Sequence, residues 1–107
     1  MQKPMPQTVK VGPHTYSVIR KSAAGMSGNL GHCDGNALII WVRQRLRKSK
    51  AREIFLHEIL HACTYASFSC VYSEGENHTG EEFVRAVAPT LLEVLQDNPE
   101  LVEYLTQ

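Results

Sequence analysis

The segment from Ala51 to Phe68, AREIFLHEILHACTYASF, constrains the fold more than any other, because it holds neither proline nor glycine and its apolar residues recur at helical spacing. It predicts an α-helix with Leu56, Leu60 and Cys63 on one side and Phe55 and Ile59 beside them. Within it, His57-Glu58-Ile59-Leu60-His61 sets two imidazoles at i and i+4, on one helix face, where their nitrogens can converge on a single ion. Glu58 projects about 100° around the helix from His57, close enough to reach a water on the metal without being a ligand. That is the position of a general base. A metal lowers the pKa of its bound water towards about 7, and the carboxylate takes the proton as the hydroxide attacks a carbonyl. His57 and His61 share a face with Ile54 and Tyr65, at the border of the buried stripe, where a cleft can expose them. The plainer alternative is a pair of partly buried histidines on an ordinary core helix, and the helical context weighs against it.

A catalytic zinc needs a third protein ligand and an open position for water. His78, Glu81 and Glu82 are the candidates, and they precede or open a second apolar helix, Glu81 to Gln96, EEFVRAVAPTLLEVLQ. Its inward face is expected to collect Val84, Val87, Ala88, Leu91 and Leu95, with Glu81 one turn before Val84 at the edge of that face. Glu82 projects the other way, and acids in a first helical turn are also explained by the helix dipole. Glu81 is therefore the first choice, Glu82 the second and His78 the third, with Thr79 as N-cap and Glu82 closing a capping box.

A helix bearing HEILH, a short linker and a second helix opening with a glutamate resembles the zincin metallopeptidases of the glutamate-ligand branch. The gap from His61 to Glu81 is similar to that of thermolysin-like enzymes, and the small size resembles the minimal zincins, including ImmA/IrrE-like peptidases and short zincin-like proteins of bacteriophage genomes. The phage likeness extends over VKVGPHTYSV, GHCDGNALII, LHEILHA and the closing EEFVRAVAPTLLEVLQDNPELVEYL. The resemblance implies that His57, His61 and Glu81 are zinc ligands and Glu58 the catalytic base. It also implies a narrow protein or peptide substrate. Arg85 stands where thermolysin-like enzymes carry an aspartate, and Phe83-Val84-Arg85-Ala86 departs from the Ala-Asn pair usual in ImmA/IrrE-like chains. After His61 come Ala62-Cys63-Thr64-Tyr65, without the glycine and third histidine of the metzincins.

With 107 residues, 43% apolar and 21% charged, the chain is expected to form one domain. No window is apolar enough to span a bilayer and MQKPMPQTVK lacks a signal-peptide core, so a cytoplasmic protein is expected, in the host cytoplasm if phage-encoded, with no membrane partner. Cys33, Cys63 and Cys70 form no CxxC pair and read as free thiols, Cys63 as core packing. A metal role for Cys33 beside His32 is the weaker reading.

Ahead of the helix lie strands. Thr8 to Val11 and Thr15 to Arg20 flank Gly12-Pro13-His14 as a hairpin, and Leu38 to Val42 follows the turn signal Asp34-Gly35. Ser22 to Gly31 reads as a flexible connector. In zincins an edge strand beside the metal helix pairs with extended substrate, and Leu38 to Val42 is the candidate for that β-augmentation. The neutral total charge hides a division: residues 1–52 hold ten Lys or Arg and one acid, residues 53–107 one Arg and ten acids. Arg43, Arg45, Arg47, Lys48, Lys50 and Arg52 crowd the start of the helix, with Ser49 as its N-cap, and oppose its dipole. Either they meet the acidic half across the fold or are simply solvated, or they bind phosphate, and the first account is favoured because no aromatic residue interleaves with the run. Near the end, Asn98 as N-cap and Pro99 at N1 begin a last helix that turns Leu101, Val102 and Leu105 inward, while Pro89 kinks the helix before it.

The expectation is an α+β domain, a small antiparallel sheet packed on the metal helix and the Glu81 helix, that hydrolyses peptide bonds with Zn2+. Tyr65, Tyr72 or His78 would steady the oxyanion. The alternative is a non-catalytic, zinc-stabilised interaction module acting at nucleic acid through residues 43–52. Glu58 favours the enzyme, since a structural site has no need of a base.

Overall fold

The computed structural model describes residues 2–68 and 80–107. Four strands, β1 (Thr8–Val11), β2 (His14–Lys21), β3 (Gly31–Asp34) and β4 (Ile39–Arg43), form one sheet in the order β1-β2-β4-β3. Three helices, α1 (Lys48–Phe68), α2 (Gly80–Asp97) and α3 (Pro99–Leu105), follow, giving the expected α+β class. The sheet is mixed, which corrects the antiparallel expectation: β1 and β2 are antiparallel, as are β3 and β4, but β2 and β4 run parallel. The cause is the connector between Lys21 and Gly31. It carries the chain past the sheet's end and lays β3 at the far edge, and the tight turn after Asp34 then folds β4 back into the gap beside β2. A strand antiparallel to β3 in that place must be parallel to β2.

Both turns form as their residues dictate. Gly12 adopts φ 59° in the β1–β2 turn. In the β3–β4 turn the Asp34 carboxylate accepts from the Asn36 and Ala37 amides, both at 2.9 Å, which holds its pKa below the usual carboxylate range. The connector contains a single 3-10 turn, Ala24–Met26, with Met26 buried.

Strand alternation separates two faces. Val9, Val11, Tyr16, Cys33, Ile40 and Val42 point to one side and join Phe55, Ile59, Ala62, Cys63, Val87, Val94, Leu101 and Tyr104 in the core. Leu101 and Tyr104 anchor α3, and Tyr104 meets Phe55 edge-on at 6.0 Å; Tyr104, rather than the half-buried Val102, completes that face.

Several expectations shift by part of a turn. α1 begins at Lys48, so Ser49 lies inside the helix rather than at its N-cap. Leu56 and Leu60 are exposed, because the buried stripe runs through Ala51, Phe55, Glu58, Ile59 and Ala62 and turns both leucines outward. On α2 the stripe is Val87 and Val94 with Leu91 at its margin, while Val84 and Ala88 are exposed. Pro89 lies within α2, leaving one carbonyl without its helical donor. Asn98 precedes α3 but makes no side-chain cap. Its amide instead accepts from Lys10 N at 2.9 Å and donates to Lys10 O at 2.8 Å and Val94 O at 2.7 Å, tying β1 to the α2–α3 junction.

Candidate metal centre

α1 crosses the sheet beneath β3 and β4 and turns two neighbouring faces to different environments. His57 and His61 are exposed, with Nε2 atoms 3.2 Å apart. Two imidazoles on a tetrahedral zinc, each bonded at about 2.0–2.1 Å, hold their nitrogens about 3.3 Å apart, so the pair already has the bite of a chelate. The ring of Tyr65 stacks on His61 at 6.5 Å, continuing the ridge by one more turn. Burial raises the Tyr65 pKa.

Glu58 lies one residue round the helix and is buried, only 6% exposed. Its carboxylate packs on Gly31 of β3: a Cβ there would fall 2.8 Å from Glu58 Oε2 and 2.7 Å from Ile54 Cγ2. Gly35, at the other end of β3, meets the Tyr65 ring in the same way. Glycine at both places lets the edge strand lie directly on the helix. Among the described residues no donor or cation partners the Glu58 carboxylate. A buried carboxylate left so is costly, and its position beside two converged imidazoles fits a site whose remaining polar contents are not among the described residues.

Among the described residues no third ligand joins the pair. Glu81, in the first turn of α2, is exposed and accepts from Arg85 Nη2 at 3.3 Å, and Glu82 is exposed beside it. Among the described residues no three His, Cys, Asp or Glu side chains are grouped to hold a metal. His78, Tyr72, Thr79 and Cys70 lie outside the described residues. Cys33 is buried, and desolvation with the nearby Glu58 charge pushes its thiol up to about 12. That suits packing better than ligation. Among the described residues the zinc fit therefore rests on His57, His61 and the buried Glu58.

β4 cannot be the docking strand, because β2 and β3 flank it on both sides. The sheet's edges are β1 and β3, and they differ. The Asn98 amide occupies the outward N–H and C=O of Lys10 on β1, whereas β3 has no partner on its outer side among the described residues. The open edge is thus the one resting on the Glu58 face of α1. The sequence places a hairpin at Asp34-Gly35 but gives its first arm, β3, no bounds, because Gly-His-Cys-Asp carries little strand signal; the glycines that permit its close approach to α1 are the available clue.

No family model, no curated protein and no solved structure matches the chain.

Proposed function

We propose that the chain is a zinc-dependent metallopeptidase of the HExxH type. The observation that carries this reading is the buried Glu58 carboxylate, without a partner among the described residues, beside the converged Nε2 atoms of His57 and His61. A structural zinc site has no use for such a group. Zinc, when bound, supplies an acidified water and a positive charge for a peptide carbonyl.

His57 and His61 hold the ion, and Glu81 is the proposed third ligand. Its exposed ion pair with Arg85 is worth a few tenths of a kcal/mol, roughly a twentieth or less of what zinc coordination supplies, so the pair does not oppose recruitment. Glu58 receives the water's proton on a carboxylate oxygen and returns it to the departing amine. Tyr65, stacked on His61, is the donor proposed for the carbonyl oxygen. The open edge of β3 pairs with the backbone of an extended substrate, which fits a narrow protein or peptide target.

No helix among the described residues is long and apolar enough to cross a membrane. The free thiols of Cys33 and Cys63 support a place in the reducing cytoplasm.

The test is digestion of a peptide library by zinc-loaded wild type and Glu58→Gln, read by mass spectrometry. The reading expects cleavage by wild type and a loss of at least a hundredfold in Glu58→Gln. Equal cleavage by both, or none by either, defeats it.

A further inference from the structure

All three helices pack on one side of the sheet, through the face that carries Val9, Tyr16, Ile40 and Val42. The strand register sets Ile19, Trp41 and His32 side by side on the opposite face, with Lys21 beside Arg43 one step along. Ile19 is 38% exposed, and His32 and Lys21 are exposed with it. The His32 and Trp41 rings stack at 5.4 Å and 24°, and the Lys21 ammonium lies 5.0 Å from the indole centroid. The aromatic residues that the basic run lacks in sequence are thus supplied by its neighbours in space.

Among the described residues only a minority of the cations pair with the acidic half of the chain. Of the ten in residues 1–52, Lys3 and Lys10 pair with Glu103 and Asp97, and Lys50 with Glu53 of its own helix; the others meet no acid among the described residues. They gather where β2 and β4 end together, from Lys21 and Arg43 through Arg45 and Arg47. Arg45 adopts φ 62°, a conformation that costs a side-chain-bearing residue about 1–2 kcal/mol and that glycine adopts freely. A cation is kept at a place where local stability prefers glycine.

We propose that this face binds single-stranded nucleic acid, with bases on the Trp41–His32 stack and phosphates along the cations at the ends of β2 and β4. A base entering the stack takes the place of the Lys21 ammonium on the indole. The ammonium, on its flexible four-carbon stem, then meets the adjacent phosphate. Charge complementarity selects a polyanion, and the stack of exposed His32 on half-buried Trp41 selects one with unpaired bases over a duplex, whose bases are hidden. The site is separate from the His57–His61 ridge and stands whether or not the chain is a peptidase.

Trp41 is the only tryptophan, so its fluorescence reports the stack directly. Wild type is titrated at low salt with a dT oligonucleotide, a duplex of equal length and heparin. Saturable quenching by the oligonucleotide alone is expected. Labelled-oligonucleotide anisotropy should then show Trp41→Leu binding roughly 5- to 100-fold more weakly. Arg45→Gly should bind more weakly with a Tm no lower than wild type, and with a salt slope smaller in magnitude by about 0.7, which separates loss of a phosphate contact from loss of fold. No quenching, or binding of heparin and oligonucleotide alike without quenching, overturns the proposal. So does a concentration-dependent dimer that itself shields Trp41.

Discussion

Gly31→Ala probes the contact that buries Glu58 against β3. The new Cβ would lie 2.7 Å from Ile54 Cγ2 and 2.8 Å from Glu58 Oε2. Carbon atoms rest at about 3.5–4.0 Å, so the first contact is short by roughly 1 Å. Gly31 lies outside the left-handed region, which only Gly12 and Gly28 occupy among the described glycines, so the cost is one of packing and not of backbone strain. α1 cannot withdraw, because Phe55 and Ile59 are fully buried on it. Either β3 lifts or Glu58 swings out. Overpacking of this kind costs about 1–3 kcal/mol. An unfolding entropy of roughly 2.1 cal/mol/K per residue makes roughly 0.22 kcal/mol/K for the whole chain, so Tm should fall by roughly 4–14 °C. Thermal unfolding by circular dichroism measures this, and zinc content measured beside it should be unchanged, since neither histidine touches residue 31. Pairing the change with Ile54→Val should restore part of the loss, as contacting residues couple. An unchanged Tm, or strictly additive effects in the pair, would refute the packing argument.

Asn98→Ala removes three hydrogen bonds that close the β1 edge, and should cost about 1–3 kcal/mol. Urea unfolding should show a lower midpoint at unchanged slope, whereas an unmoved midpoint would mean that water replaces the amide freely. Burial chiefly pushes both Tyr16 and Cys33 up to about 12. A raised folded pKa means that the unfolded chain loses its proton first, so this stabilisation is complete below about pH 8.5 and falls as pH rises towards 12. Urea midpoints between pH 7 and pH 11 should be level at first and then decline; a midpoint still level at pH 11 contradicts the burial of these groups.

The helix that carries the histidines was legible because its 3.6-residue period is long and uninterrupted, and both hairpins were legible from Gly12-Pro13 and Asp34-Gly35. The strand order was not. Whether β4 forms the edge or the interior depends on where the connector lays β3, a tertiary choice with no local signature. For the same reason the edge beside the centre was assigned to Leu38 to Val42, the most apolar strand, when strong apolar character on a strand signals burial between neighbours. Periodicity turns Leu56 and Leu60 into the core because hydropathy alone cannot place a charged residue inside the stripe, yet Glu58 is inside it. His57 and His61 needed only helical geometry and converge as expected. Glu81 needed the relative placement of two helices, and its i to i+4 partner Arg85 holds it instead.

Zinc content, measured by mass spectrometry on purified wild type, His57→Ala, His61→Ala, Glu81→Ala, Glu82→Ala and Glu58→Gln at matched concentration, tests the central claim most directly. One zinc per chain, lost in His57→Ala, His61→Ala and Glu81→Ala but kept in Glu82→Ala and Glu58→Gln, is the result expected of an open His/His/Glu site with Glu58 as base. A wild type that takes up no zinc even after reconstitution would contradict it, and would leave the HEILH pair as two exposed histidines on a helix.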